Sequence, residues 1–190
     1  MPKRERKKLN IKCTDSDCTN NLHCFKPTKK LIKQGLGGKC RTCKADLVDW
    51  SRVHKKEILD AGYTFKALKF ELIRHEFWHR KFTEKAKEYA NKKGLTGLQK
   101  RANEIIKNNV APINNPYDGR QTPIDKNKMN PIHYAQHATA TCCRTCIEYW
   151  HGIPKDKILS KKEKDYLVEL IMLFIEDRLP LLKSQQSLNL

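Results

Sequence analysis

Phe65-Lys-Ala-Leu68-Lys-Phe-Glu-Leu72-Ile-Arg-His75-Glu-Phe-Trp-His79-Arg-Lys-Phe82-Thr-Glu-Lys-Ala86-Lys-Glu-Tyr89 places apolar or imidazole side chains at alternating spacings of three and four. That is one stripe of an amphipathic helix, so the spacing predicts a single helix over about 65–92 with both histidines on its inward face. Asn91-Lys-Lys-Gly94 supplies basic residues and then a glycine, the usual helix ending. A second helix is expected over 96–108 and a third over 139–150, stopping at Gly152-Ile-Pro154. The last begins at the capping box Ser160-Lys-Lys-Glu163 and carries Leu167, Leu170, Ile171, Phe174 and Ile175 as its apolar face, before Pro180. Residues 111–132, with four prolines and the string Asn114-Asn-Pro-Tyr-Asp-Gly-Arg-Gln-Thr-Pro123, read as loop. The expected fold is mainly α with a small zinc-knuckle or zinc-ribbon-like N-terminal module and few short strands, one hairpin falling near Cys40. The chain divides into a basic arm (1–12), a cysteine-rich module (13–50) and a helical remainder (51–190).

The N-terminal module is defined by its thiols. Cys13-x4-Cys18 and Cys40-x2-Cys43 are two cysteine pairs, with Gly35-Leu-Gly37-Gly38 giving a turn just before the second. A Cys-x2-Cys turn directs both thiolates at one tetrahedral ion, and a second pair completes a closed, structural zinc site. Cys24, preceded by His23, is an extra candidate that competes with Cys13.

A second cluster lies at 133–151. His133-x3-His137-x4-Cys142-Cys143-x2-Cys146-x4-His151 is dense in thiol and imidazole. On a helix Cys142 and Cys146 share a face, Cys143 and Cys146 lie one turn apart, and His137 and His151 flank them. These five residues are the expected ligands of a second metal, structural if four side chains close the site and catalytic if one position stays open. One or two zinc ions are therefore expected. An iron–sulfur cluster is the lesser reading, since the spacing matches no common cluster run.

His75-Glu-Phe-Trp-His79 satisfies two motifs at once. As His-Glu-x-x-His it offers two zinc ligands on one helical face, with Glu76 as general base. As Arg74-x4-His79 it resembles the short motif of metal-independent helical RNases of the HEPN type, although a straight helix turns those two side chains about 140° apart. The bland alternative is two packed or metal-sharing histidines. Asp118 and Arg120 in the following loop are expected beside this helix, Asp118 toward a metal or water and Arg120 toward a phosphate. The plain alternative there is an ordinary Asp-Gly turn.

Charge sets the class of partner. The 190 residues carry a net charge of +18. Residues 1–50 hold 13 Lys/Arg against 5 Asp/Glu and residues 65–110 hold 12 against 5, while the excess nearly vanishes from 111 onward. Such a field attracts polyanions, and phosphate backbones are the commonest of these. Lys3, Arg4, Arg6, Lys7, Lys8, Lys29, Lys30 and Arg41 are the expected backbone contacts; the competing reading is a lysine-rich surface that only aids solubility. No apolar run approaches membrane-span length and no secretory signal is recognisable, so a cytosolic location without a membrane partner is expected. Eight cysteines there point to metal and not to disulfides.

Three strings, Gly38-Lys-Cys-Arg-Thr-Cys-Lys-Ala-Asp-Leu-Val-Asp-Trp50, Arg74-His-Glu-Phe-Trp-His79 and Gln136-His-Ala-Thr-Ala-Thr-Cys-Cys-Arg-Thr-Cys-Ile-Glu-Tyr-Trp-His-Gly-Ile-Pro154, resemble an uncharacterised family of small bacterial Cys/His-rich proteins. The resemblance implies that these histidines and cysteines recur together. It implies no catalytic role.

The leading functional expectation is a zinc-containing basic protein that binds DNA or RNA, as a nuclease or as an accessory factor in nucleic-acid metabolism or defence. Its candidate catalytic set is His75, Glu76, His79, Asp118 and Arg120. A zinc metallohydrolase using Glu76 is the second reading. A non-catalytic, zinc-stabilised subunit of a larger assembly is the third.

Overall fold

A computed structural model describes residues 11–182. The expected basic arm, with Lys3, Arg4, Arg6, Lys7 and Lys8, lies almost wholly outside the described residues. Among the described residues eight α-helices follow in order: α1 Lys29–Lys33, α2 Trp50–Val53, α3 Ala61–Ala67, α4 Leu72–His79, α5 Glu84–Ile105, α6 Pro131–Ala138, α7 Arg144–His151 and α8 Lys161–Arg178. Pairing of extended backbone among the described residues amounts to two isolated bridges, Asp17 with Leu22 and His23 with Glu71. The expected hairpin at Cys40 is instead a knuckle turn, in which Cys40 N donates to Ala45 O at 2.9 Å and Lys44 N to Cys40 O at 2.9 Å. No helix among the described residues is long and apolar enough to cross a membrane.

α8 forms as its sequence dictates. Ser160 accepts from Glu163 N, the Glu163 carboxylate returns to Ser160 N, and Tyr166, Leu167, Leu170, Ile171, Phe174 and Ile175 are buried. It packs against α3, α5 and α6, while α4 packs against α6. These faces enclose one large apolar cluster. A second cluster, built on Phe25, Val53, Leu68 and Trp150, lies under the N-terminal module.

The predicted single helix over 65–92 is broken twice. A 3-10 turn over Leu68–Phe70 is followed by Glu71 in extended geometry, and Arg80 is extended again after α4. The first break has a non-local cause: His23 N donates to Phe70 O at 2.7 Å and Leu72 N donates to His23 O at 2.9 Å, so Glu71 pairs across the chain and leaves the helix. At the second, Thr83 caps a new helix by accepting from Ala86 N. The inward face of α4 is consequently Ile73, Arg74, Phe77 and Trp78, and not the stripe containing His75 and His79. Gly94 does interrupt α5, with φ 61° and ψ 176°, but helix resumes at once to Ile105 and ends in a π turn over Ile106–Val110.

The helix expected over 139–150 starts later. Ala140 has φ 56°, Cys143 is extended, and α7 begins only at Arg144. Its end is the predicted one, with Gly152 left-handed at φ 64°, where a Cβ would come within 2.9 Å of the His54 ring. Only glycine fits there.

Candidate metal centre

The first ligand group is Cys18, His23, Cys40 and Cys43, whose ligand atoms all lie within 4.8 Å of one another. Cys18 Sγ and Cys40 Sγ are 3.7 Å apart, and Cys43 Sγ is 3.4 Å from His23 Nδ1. A tetrahedral ion with Zn–S of about 2.3 Å and Zn–N of about 2.05 Å has edges of about 3.8 Å and about 3.5 Å, which these separations match. His23 Nε2 lies 3.0 Å from Asn21 Oδ1, an acceptor that fixes the proton on Nε2 and leaves Nδ1 as the donor to a metal. Burial opposes ionisation of Cys40, but the backbone N–H groups around its sulfur outweigh it and bring the thiol down to about 6. All eight cysteines are free thiols. The residues fit a closed zinc site of three thiolates and one imidazole.

Two expected ligands, Cys13 and Cys24, stand outside this group. Cys24 turns its Sγ to the carbonyl of Cys13 at 3.3 Å, and burial raises its thiol to about 11. His23 takes the fourth place. The chain pairs His23 with Glu71 in extended geometry, which sends neighbouring side chains to opposite sides, so His23 faces the sulfurs and Cys24 cannot. The spacing Cys18-x4-His23, which repeats that of Cys13-x4-Cys18, was the available signal.

The second group is Cys142, Cys143 and Cys146, all buried, again with ligand atoms within 4.8 Å of one another. Cys143 is the N-cap of α7, its Sγ accepting from Cys146 N at 3.4 Å. Hydrogen bonds from Cys142 and Cys143, with help from the Arg74 guanidinium, hold the Cys146 thiol well below its ordinary range. The other two thiols are pushed up, Cys143 to about 12.

The flanking histidines do not join this group. His137 donates from Nε2 to Pro123 O at 3.0 Å and stacks on Phe77 at 4.3 Å. His151 donates from Nε2 to Thr139 O at 3.1 Å. Burial keeps both neutral, lowering His137 to about 4 and His151 to about 3. His133 caps α6. The turn between α6 and α7 sends the imidazoles toward loop carbonyls and away from sulfur.

Glu71 and Arg74 connect the two groups. One Glu71 oxygen accepts from Arg74 Nε at 2.9 Å, Tyr149 OH at 3.0 Å and Trp150 Nε1 at 2.7 Å, and the other accepts from Phe25 N at 3.2 Å. Arg74 also donates to His137 O at 2.6 Å, and its Nη2 lies 3.3 Å from Cys146 Sγ and donates to Tyr149 OH. Neither Glu71 nor Arg74 was read from the sequence as a pair.

The candidate catalytic residues do not converge. His79 is exposed and donates from Nδ1 to His75 O at 2.9 Å, with the two rings 4.0 Å apart. Glu76 pairs with Arg80 at 3.2 Å, and among the described residues no third His, Cys, Asp or Glu groups with the two histidines. Arg74 is buried on Glu71 while His79 faces outward, which separates the RNase-type pair as well. Asp118 caps α7, accepting from Arg144 N at 2.8 Å and from Thr145 Oγ1 at 2.6 Å, so it serves a helix terminus and not the α4 histidines. Arg120 is exposed in the same loop. Lys29 and Lys30 are exposed on α1, and Arg41 is half-buried in the knuckle, its N–H donating to Cys24 O at 2.8 Å.

The model of a family described as a domain of unknown function, DUF4186, matches residues 62–176. The chain belongs to the DUF4186 family. The matched span holds Glu71, Arg74 and the second thiol group, whereas the group of three cysteines and His23 precedes it. No solved structure matches this DUF4186 chain.

Proposed function

We propose that this DUF4186 protein is a zinc-stapled module that binds the phosphate backbone of nucleic acid and is not itself a hydrolase. The observation that carries the reading is a groove of about 470 Å³ between α5 with its π turn and the start of α8. Lys100, Lys107, Lys161 and Lys164 line it together with Asn103 and Asn108. Its acidic residues are already engaged, Glu104 with Arg101 at 2.8 Å and Asp165 with Lys161 at 2.6 Å. Lys100, Lys107 and Lys164 have no carboxylate within ion-pair distance among the described residues. Several ammonium groups lining one groove suit a polyanion, and π turns are frequent at functional sites. The first ligand group supports this reading as a folding element, since closed thiolate-rich sites supply stability and leave no position for a substrate.

The experiment is fluorescence anisotropy with labelled duplex and single strands across a salt series. Affinity should fall linearly in log–log form with salt, by about 0.9 per phosphate neutralised on duplex DNA. Lys100→Glu/Lys107→Glu/Lys164→Glu should weaken binding at least about tenfold and flatten that slope, more than Lys29→Glu/Lys30→Glu does. No binding at about 50 mM salt, or an unaltered affinity in the triple variant, overturns the proposal.

A further inference from the structure

Cys142, Cys143 and Cys146 bring three buried sulfurs within 4.8 Å of one another. The turn before α7 gathers them. Cys143 is extended and caps the helix, so its Sγ meets the N–H of Cys146, one turn on, at 3.4 Å. Cys142 precedes it in a turn pinned by Thr122 Oγ1, which donates to Cys142 O at 2.9 Å, and by Thr141 N, which donates to Gln136 O at 2.9 Å. A tetrahedral ion with Zn–S of about 2.3 Å spaces its sulfurs about 3.8 Å apart, inside that limit. Sulfurs that serve separate irons of a cluster stand further apart, so one ion fits better than an iron–sulfur core. No side chain completes a set of four. All eight cysteines and seven histidines of the chain lie within the described residues, and no fourth Cys, His, Asp or Glu among those residues joins the group. His137 and His151 are turned to the carbonyls of Pro123 and Thr139, and Cys24 to that of Cys13. We infer that Cys142, Cys143 and Cys146 bind one divalent, thiophilic metal ion as a three-thiolate site whose fourth position takes a small ligand from outside the chain.

The surroundings match that charge count. Three thiolates on a divalent ion leave one net negative charge, which is expensive to bury without a cation nearby. Arg74 supplies the cation, its Nη2 3.3 Å from Cys146 Sγ and its Nε held by Glu71 at 2.9 Å. Donors to a ligand sulfur from outside the coordination sphere orient and tune such a site. The Glu71 carboxylate does not depend on Arg74 alone, since Tyr149, Trp150 and the Phe25 backbone also donate to it. The same count selects the outside ligand. An anion there would double the buried charge, so a neutral donor such as water suits the position better than hydroxide. Thiolates also give the ion more electron density than imidazoles do, which leaves a bound water a weaker acid than in hydrolytic zinc sites. The second site therefore differs in kind from the closed first group: its fourth ligand exchanges, and it does not hydrolyse.

The test uses the full-length protein loaded with zinc and then with cadmium-113. Native mass spectrometry should count two zinc ions in the wild type. Cys143→Ser is the informative variant, because serine keeps the N-cap of α7 while one thiolate is lost. It should count one zinc, or bind the second at least about 100-fold more weakly, the upper end of what loss of an outer-shell partner costs. His137→Gln and His151→Gln should keep the wild-type count. Proton–cadmium-113 correlation spectra of the wild-type protein name the ligands directly and depend on no variant folding. One cadmium ion should couple to the β-protons of Cys142, Cys143 and Cys146 and to no other side chain. The other should couple to Cys18, Cys40, Cys43 and the His23 ring. No cadmium coupled to the three cysteines, a zinc count that Cys143→Ser leaves unchanged, or a fourth cysteine or histidine coupled to the same ion would each overturn the assignment.

Discussion

Arg74 donates to Glu71 at 2.9 Å with both side chains 1% exposed, and this buried pair stands between the two thiol groups. The Glu71 carboxylate receives four donors, from Arg74, Tyr149, Trp150 and the Phe25 backbone. The Glu71 backbone pairs with His23, a ligand of the first group. One residue therefore sets the approach of the knuckle to the helices. Its charge is matched by Arg74, which in turn reaches Cys146.

Removing one partner of such a pair leaves the other charge buried and unmatched. Glu71→Gln is expected to destabilise the protein by about 3–5 kcal/mol in urea titrations. Adding Arg74→Met should recover part of that loss, because the stranded cation is gone, although the single amide oxygen keeps an acceptor for only one of Trp150 Nε1 and Phe25 N, which donate to different oxygens of Glu71. Equal stability of Glu71→Gln and wild type would show that the pair is dispensable.

Zinc removal should act on the N-terminal module first. A structural site contributes its binding energy to folding, so a chelator or Cys40→Ser/Cys43→Ser should abolish the ordered contacts of residues 18–43. Near-ultraviolet circular dichroism will report the change through Trp50, whose Nε1 donates to Gly38 O at 2.8 Å and whose ring lies 5.0 Å from that of Trp150. A double variant with unchanged zinc content and melting temperature would remove the case for a metal there.

How far the sequence could be read follows from where each signal is local. α8 was legible because its cap, stripe and following proline all lie within one stretch, and Cys40-x2-Cys43 because the knuckle is a local turn. The run 65–89 misled because its period continues through two breaks that distant contacts impose. Glu71 looks like an outward polar residue of a helix until His23 pairs with its backbone. Arg74 resembles half of an RNase motif until four partners, Glu71, Tyr149, Cys146 and the His137 carbonyl, enclose it. His137 and His151 are near the thiols in sequence, yet side-chain direction depends on a left-handed Ala140 that composition does not reveal.

The His-Glu-x-x-His segment gives a sharp test of packing against chemistry. Glu76 is half-exposed and, among the described residues, its carboxylate pairs with Arg80 alone, a surface pair of the kind worth about 0–1 kcal/mol. Glu76→Gln should therefore leave zinc content, folding and nucleic-acid affinity near wild type. His79→Gln removes an exposed ring whose hydrogen bond stays within its own helix, and it too should be mild. Arg74→Ala should be severe, through stability alone. A hydrolytic activity lost in Glu76→Gln with zinc and folding intact would restore the metallohydrolase reading.

Acid should destabilise the protein through its buried histidines. His137 is lowered to about 4 and His151 to about 3, by burial before any other cause, against an ordinary value of 6.5. In the unfolded chain both rings take up a proton as pH falls through 6.5, while in the folded protein they resist until pH 4 or 3. Over that window the unfolded state binds more protons, so stability is fully present above 6.5 and declines as pH falls. Each ring contributes up to about 1.4 kcal/mol per pH unit. Protonation of zinc thiolates acts in the same direction and must be separated from it. His137→Gln does so, because it removes one buried ring and leaves every cysteine in place. Its melting temperature should fall less steeply between about pH 7 and about pH 5 than that of the wild type, even if it starts lower. Parallel slopes for the two proteins would assign the acid sensitivity to the thiolates alone.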